Sequence, residues 1–242
     1  MEALAIIPAR AGSKSVPNKN IKLLAGRPLI FYAIKACLKS KLIDRVIVST
    51  DSRKIARIAE RFGAEVPFLR PKNISRDLST DVEFLTHTLK WLEKNEKYIP
   101  DIVLRVPPTS PLRNAEHLDL GIKTLINGLK ADSARPITRA PKHPYKMWKI
   151  KGKYIIPFLP YSFTKMREPY NMPRQKLPAA YVHTGAMDVM WRDTIFKLKS
   201  TSGRKVKYFF MNEEDSVNID SPVDFLLAEV IMNRMKNKRR LS

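Results

Sequence analysis

The chain is poor in cysteine, in long apolar runs and in acid. Cys37 is its single cysteine, so neither an intramolecular disulfide nor a cysteine-based metal cluster can form. The first apolar run, Ala3–Ile7, spans five residues before Pro8 and Arg10. A secretory leader needs about 7–15 such residues and a membrane span about 20, and neither length occurs in the sequence. The expectation is a soluble cytoplasmic protein with no membrane partner. The four histidines form no Ser-His-Asp set that would point to a covalent nucleophile. Acid is short: 23 Asp and Glu stand against 45 Lys and Arg, a net charge of +22. Such an excess favours polyanions, including nucleic acid and nucleotide phosphates. Lys and Arg are nevertheless scattered, with a tight run only at Lys236–Arg240. A solvated Lys-rich surface is therefore the better account and a polyanion footprint the alternative; nucleic acid is not expected as the partner.

What is present is an ordinary globular composition, 44% hydrophobic and 28% charged, which excludes a wholly disordered chain. The length of 242 residues fits one large α/β domain or two small ones. Ala3–Pro8 reads as a short buried strand closed by turn residues. Ile30, Ala33, Ile34, Cys37 and Leu38 then recur at helical spacing after Pro28. Arg45–Thr50 reads as a second buried strand. Ile55, Ile58, Ala59 and Phe62 form the next helical stripe, which Gly63 is placed to end. A helix over Asp81–Lys94, a strand at Ile102–Val106 and a helix through Leu118, Ile122, Leu125, Ile126 and Leu129 continue the alternation. Alternating strands and helices predict a mostly parallel sheet with helices on both faces. Ligands of such sheets bind beyond the carboxyl ends of the strands, here at Arg10–Asn20, Thr50–Ser52 and Pro107–Arg113.

The pattern breaks between Ser133 and Pro178, where eight prolines exclude a regular helix. This stretch, with its many aromatics, reads as an extended arm or hairpin. It either contacts a partner, such as a second subunit, or packs on its own core. A strand pair over Tyr181–Met190 and Lys205–Met211 follows, then a final helix opened by Ser221 and Pro222. There is no internal repeat.

The segment Arg10–Asn20 (RAGSKSVPNKN) combines three cations, a small centre at Gly12–Ser13, and donors from Ser13 and Asn20. A triphosphate requires close backbone amides, hydroxyl donors and cations, and this loop supplies all of them. Neither the Walker A spacing nor the G-x-G-x-x-G fingerprint is present. On composition alone the segment could equally be a basic surface loop.

Ile6–Asn20 (IIPARAGSKSVPNKN) resembles the signature of the acylneuraminate cytidylyltransferases. The resemblance continues through VSTDS (48–52), GAEVPFLRP (63–71), PTSPLR (108–113), PRQKLP (173–178), TGAMDV (184–189) and NIDSPVD (218–224). Seven blocks in family order span nearly the whole chain. The resemblance implies a Rossmann-like nucleotidyltransferase domain over 1–242, with an inserted dimerisation arm at 134–178 and a homodimer. The implied activity joins CTP to an acidic nine-carbon sugar, giving the CMP-sugar and pyrophosphate. The anomeric hydroxyl attacks the α-phosphorus, so catalysis is positioning plus electrostatic stabilisation.

By motif position the resemblance implies that Arg10, Gly12, Ser13, Lys14, Lys19, Asn20, Arg70 and Ser79 hold the nucleotide. Arg10 and Lys19 would be the catalytic cations. Without the resemblance Arg70 reads as a surface arginine after a strand. The sugar would meet Thr109, Ser110, Arg174, Gln175, Thr184 and Gly185, a guanidinium being suited to its carboxylate. Magnesium is implied at Asp220 and Asn218, where other members carry Asp-x-Asp. Here the first acid is an amide. Asp220 could otherwise be a turn residue before the Ser221 cap. The family's Gln-Pro-Thr-Ser is Pro107-Pro108-Thr109-Ser110 in this chain, and its Asn-Gly-Ala is Thr184-Gly185-Ala186. Both changes fall where the family sets sugar specificity. They leave open another nonulosonic or 2-keto acid such as legionaminic acid, or a non-catalytic polyanion-binding relative. The ketodeoxyoctonate cytidylyltransferases fit less well, because their acidic V-Q-G-D-E-P-type block is absent.

Overall fold

The computed structural model describes residues 1–13 and 16–241, with side chains through residue 235. In chain order the strands and helices are β1 (Ala3–Pro8), β2 (Leu23–Leu24), β3 (Arg27–Pro28), α1 (Leu29–Lys39), β4 (Arg45–Ser49), α2 (Arg53–Arg61), α3 (Asp81–Glu96), β5 (Ile102–Arg105), α4 (Ala115–Ile126) and β6 (Ser133–Arg139). They continue with β7 (Trp148–Lys151), β8 (Tyr154–Pro157), α5 (Tyr161–Thr164), β9 (Tyr181–His183), β10 (Asp188–Trp191), α6 (Arg192–Leu198), β11 (Val206–Phe210) and α7 (Pro222–Leu241).

The chain divides into two compact units, one of residues 1–136 and 184–242, the other of residues 137–183. The sheet of the first unit has the order β11-β6-β10-β5-β1-β4. β1 pairs parallel with both β4 and β5. β10 lies antiparallel to β5 and to β6, so β4, β1, β5 and β6 all run one way. Helices cover both faces, which is why the strands read as unbroken apolar runs. Ala3, Ala5 and Ile7 join a cluster with Ile30, Ala33 and Ile34 of α1 and Leu118, Ile122 and Leu125 of α4. Leu4 and Ile6 join the other cluster, with Leu85, Leu89 and Leu92 of α3 and Ile195 of α6. Cys37 is buried in the first cluster, and burial pushes its thiol up to about 12, so it acts as a packing residue.

The helix ends follow from short side chains. The Ser52 hydroxyl accepts from the Ile55 amide at 3.4 Å to open α2, and Gly63, at φ +93°, ends it in the left-handed region. Ser221 and Asp224 cap α7 reciprocally, the Ser221 amide donating to Asp224 at 2.7 Å and the Asp224 amide to the Ser221 hydroxyl at 3.3 Å.

Three expectations are corrected. Leu38 is exposed rather than part of the α1 stripe, and Leu129 lies exposed beyond the end of α4. Tyr181–Met190 is not one strand: Gly185, at φ +71°, breaks it between β9 and β10. Nor do 181–190 and 205–211 pair, since β11 lies beside β6.

In the second unit, Ile137–Arg139 of β6 pair antiparallel with β9, and β7 and β8 form a hairpin. Its one α-helix among the described residues is the four-residue α5, in keeping with the prolines. Its exposed apolar side chains include Ile150, Tyr154, Ile155, Tyr161 and Phe163. The unit begins at Ile137 rather than at 134, because Ser133–Pro136 belong to the first unit's sheet, and it runs on to His183.

Candidate active site

The carboxyl ends of β1, β4 and β5 open into Ala9–Asn20, Thr50–Ser52 and Pro107–Arg113. Because β10 is antiparallel to β5, with Asp188 opposite Arg105, the preceding turn Thr184–Met187 emerges at the same end. These loops are tied together. The Ala11 amide donates to Asp51 at 2.9 Å. Arg10 pairs with Asp77 at 2.5 Å, both half-exposed. The buried Asn20 turns its amide back to the Arg10 carbonyl at 3.0 Å. An alanine methyl at Gly12 would meet no atom of the described residues within 4 Å. The Ser13 amide closes a tight turn on the Ala11 carbonyl at 3.1 Å. Lys14 lies outside the described residues.

Lys19 sits in the short 3-10 turn Lys19–Ile21, entered through Asn18 in the left-handed region at φ 53°. Its ammonium donates to the Ile219 carbonyl at 2.9 Å. Burial lowers its pKa from the ordinary lysine value, against the pull of Asp220 and Asp224, and Arg10 lowers it further. Arg70 is not a surface residue. Only 6% exposed, it donates to the Ser49 carbonyl at 2.6 Å and to the Ser49 hydroxyl at 3.0 Å, with its guanidinium 4.6 Å from the Phe84 ring. Burial draws its pKa down to about 10, a shift that Arg10 reinforces and Asp51 and Asp81 resist. Ser79 accepts from the Arg76 amide at 3.0 Å and so closes the turn that carries Asp77.

Thr109, Ser110 and Gly185 of the residues expected at the sugar lie against the segment 218–220 expected at the metal. The Ile219 amide donates to the Thr109 carbonyl at 2.8 Å. The buried Ser110 donates to the Asn218 side-chain carbonyl at 3.4 Å. A Cβ on Gly185 would stand 3.6 Å from Asn218. Asn218 in turn donates to Asp220 at 2.6 Å. Thr184 is buried, its hydroxyl accepting from the Ala186 amide at 3.3 Å, so this side chain serves the turn itself. Asp224 is committed to the α7 cap. Burial pushes its carboxyl up, but bonds from Ser221 and Asp220, together with Lys19, outweigh that and hold it below the usual range.

In the second unit, Arg174 and Gln175 line a cavity of about 190 Å³ with Arg139. Arg174 also donates to the Ala140 carbonyl. Sequence reasoning missed Arg139, whose position in β6 carries no motif, and Asp51 and Asp77, acids that look like any surface acid. It also missed Arg113, although PTSPLR contains it. Arg113 is 2% exposed and donates to the carbonyls of Pro107 and Ala186 at 3.1 and 2.5 Å.

The structure thus sets a cation-bearing loop at the end of the first strand, with Lys19 bonded to the backbone between Asn218 and Asp220. A profile of the cytidylyltransferase family matches residues 4–145, and the chain belongs to that family. It is 35% identical to the CMP-N,N'-diacetyllegionaminic acid synthase of Legionella pneumophila, over 96% of this chain and 97% of that protein. It is 31% identical to the N-acylneuraminate cytidylyltransferase of Escherichia coli, over 98% of this chain but 54% of that longer protein. Among solved structures, a CMP:2-keto-3-deoxy-manno-octonic acid synthetase complexed with CTP superposes at a TM-score of 0.70 over 97% of this chain and all of that one. At 15% identity, that likeness shows the fold alone. The family reading and the nucleotidyltransferase fold drawn from the seven blocks hold.

Proposed function

We propose that this protein transfers CMP from CTP to the anomeric hydroxyl of an acidic nine-carbon sugar, releasing pyrophosphate. The observation that carries the reading is the bond from Lys19 to Ile219, which brings the cationic loop against Asn218 and Asp220. The sugar oxygen forms a bond to the α-phosphorus while the bond to the bridging oxygen breaks; the hydroxyl proton leaves to solvent and the pyrophosphate carries off the charge. Arg10 and Lys19 stabilise that charge, and no covalent enzyme intermediate is needed. Gly12, Ser13 and Asn20, with Lys14 by motif, hold the triphosphate, and Arg70 and Ser79 belong to the same nucleotide site. Thr109, Ser110 and Gly185 face the sugar. By the motif resemblance Arg174 and Gln175 also belong to the sugar's residues, a guanidinium being suited to a carboxylate.

Magnesium belongs to this reading. Asp220 offers an exposed carboxylate with one oxygen bonded to Asn218, and Asn218 an amide carbonyl, which fits a cation that takes one or two carboxylates and completes its shell with phosphate oxygens and water. Those two residues would hold it, and when bound it offsets phosphate charge. Among the described residues no group of three His, Cys, Asp or Glu side chains forms a closed metal site. The reading also includes a homodimer through the second unit, supported by the exposed Ile150, Tyr154, Ile155, Tyr161 and Phe163. A cytoplasmic location belongs to it as well; no helix among the described residues is long and apolar enough to cross a membrane.

As acceptor we favour N,N'-diacetyllegionaminate over N-acetylneuraminate, because the Legionella relative matches over nearly its full length. The test is pyrophosphate release with CTP, magnesium and each acid, every component omitted in turn. Release that needs all three supports the function, and the faster acid names the acceptor. No release with either acid, or no binding of CTP, overturns it; in the latter case the basic surface becomes the lead.

A further inference from the structure

We propose that Arg113 is a positioning residue for the acceptor: its guanidinium ties the loop after β5 to the turn before β10 and thereby sets the spacing of the groups that face the sugar acid. This rests on the function proposed above. One nitrogen, Nη1, donates to both Pro107 and Ala186. Pro107 opens the segment that carries Thr109 and Ser110, and Ala186 follows Gly185. The first segment meets Asn218 and Ile219 through the Thr109 carbonyl and the Ser110 hydroxyl, and the second lies beside Asn218, where a Cβ on Gly185 would stand 3.6 Å away. Asn218 is thus a shallow tie between the two loops, and Arg113 is the deep one.

A cation is a costly tie. Its two hydrogen bonds go to neutral carbonyls, and its Nε and Nη2 find no hydrogen-bond partner among the described residues. Burial draws its pKa down to about 10. A neutral amide could hold a loop together with less desolvation. What a planar guanidinium adds is a fixed angle between acceptors on two separate strands of chain. Misplacing a bound substrate by about 1 Å can cost on the order of 10² in rate, so a rigid spacer here has a catalytic use. A mere core plug would behave differently: its loss would lower stability and the folded fraction, and would leave the KM values alone.

The test compares wild type, Arg113→Lys and Arg113→Met. Acceptor is varied at saturating CTP and CTP at saturating acceptor, with N-acetylneuraminate and N,N'-diacetyllegionaminate as probes. The expected result is an acceptor KM raised about tenfold or more in Arg113→Met, with a lower kcat and an unchanged KM for CTP, and partial recovery in Arg113→Lys. A folded Arg113→Met enzyme with wild-type acceptor KM and kcat overturns the proposal, as does an equal rise in both KM values. Hydrogen exchange on the wild type decides the case if the variants do not fold, or if neither acid is turned over, which would sink the proposed function separately. The amides of 109, 110, 112 and 113 and those of 184–187 should exchange through one shared opening; independent openings overturn the tie.

Discussion

Arginine and aspartate meet twice at the same end of the sheet, with opposite consequences. In the first cluster Asp188 is buried, 3.1 Å from Arg105 Nη1 and 2.9 Å from Arg135 Nε, and Arg105 reaches on to Asp81 at 2.7 Å. In the second cluster Arg10 meets Asp77 in a half-exposed pair, and Lys19 holds only a carbonyl. The buried carboxylate of β10 joins Arg105 of β5 and Arg135 of β6, so it ties three strands together. The exposed pair is worth little by itself, and an arriving phosphate can replace Asp77 with a stronger partner. The same residue types therefore do different jobs: the buried cluster ties β5, β6 and β10 together, and the open one is where the proposed function seats the triphosphate.

The comparison breaks most directly at Asp188. Asp188→Ala removes the acid that the part-buried Arg105 and Arg135 share, leaving Arg105 with Asp81, and should cost about 1–3 kcal/mol of stability. Denaturant unfolding checks this, and the enzyme that remains folded should keep its turnover. Arg10→Ala should do the reverse. Its turnover should fall on the order of 10²–10³-fold while the unfolding midpoint stays near wild type. An Arg10→Ala protein that unfolds early, or an Asp188→Ala protein that is stable but inactive, would erase the distinction between the clusters.

A third variant sharpens the role of the open cluster. Asn218 donates to Asp220 at 2.6 Å, so Asn218→Asp replaces a hydrogen bond with two carboxylates in contact. Without metal the pair repels; with magnesium the added charge is worth about 1 kcal/mol at a solvated site, or roughly fivefold in half-saturating magnesium. Melting in EDTA should drop relative to wild type and recover with magnesium. A magnesium titration of turnover unmoved by the substitution would remove Asn218 from the metal's surroundings.

The contrast also explains what could be read from the sequence. Strands buried on both faces announce themselves as short apolar runs, so β1, β4 and β5 were visible, as were the helix ends at Gly63 and Ser221. The open cluster was visible for a similar reason: its cations and small residues lie within eleven consecutive positions of one loop. The insertion of β10 between β5 and β6 was not, because pairing Asp188 with Arg105 across 83 residues has no local signature. Arg70 and Arg113 were hidden by their type. An arginine reads as surface until the carbonyls and aromatic face that bury it are in place, and those belong to other elements. Asp77 was hidden by distance, since it meets Arg10 across 67 residues.

The smallest effect concerns a histidine that must stay neutral near these loops. His117 Nδ1 accepts from the Asn114 amide at 3.3 Å while Asn114 accepts from the His117 amide at 3.0 Å, a reciprocal cap at the start of α4 just after Arg113. Only an unprotonated nitrogen can accept, and burial lowers the ring's pKa below 6.5 despite the pull of Asp215 3.7 Å away, with Arg113 adding to the depression. The unfolded ring, with its ordinary pKa, therefore binds the proton more readily than the folded one. The cap's contribution is complete above about pH 6.5 and is lost as pH falls from there through the lower folded value. Melting temperature should accordingly decline below about pH 6.5, and His117→Gln, which keeps an acceptor but cannot titrate there, should flatten part of that decline by less than about 1 kcal/mol. An equally steep decline in the variant would move the acid sensitivity to His87, which burial and Arg70 also hold low.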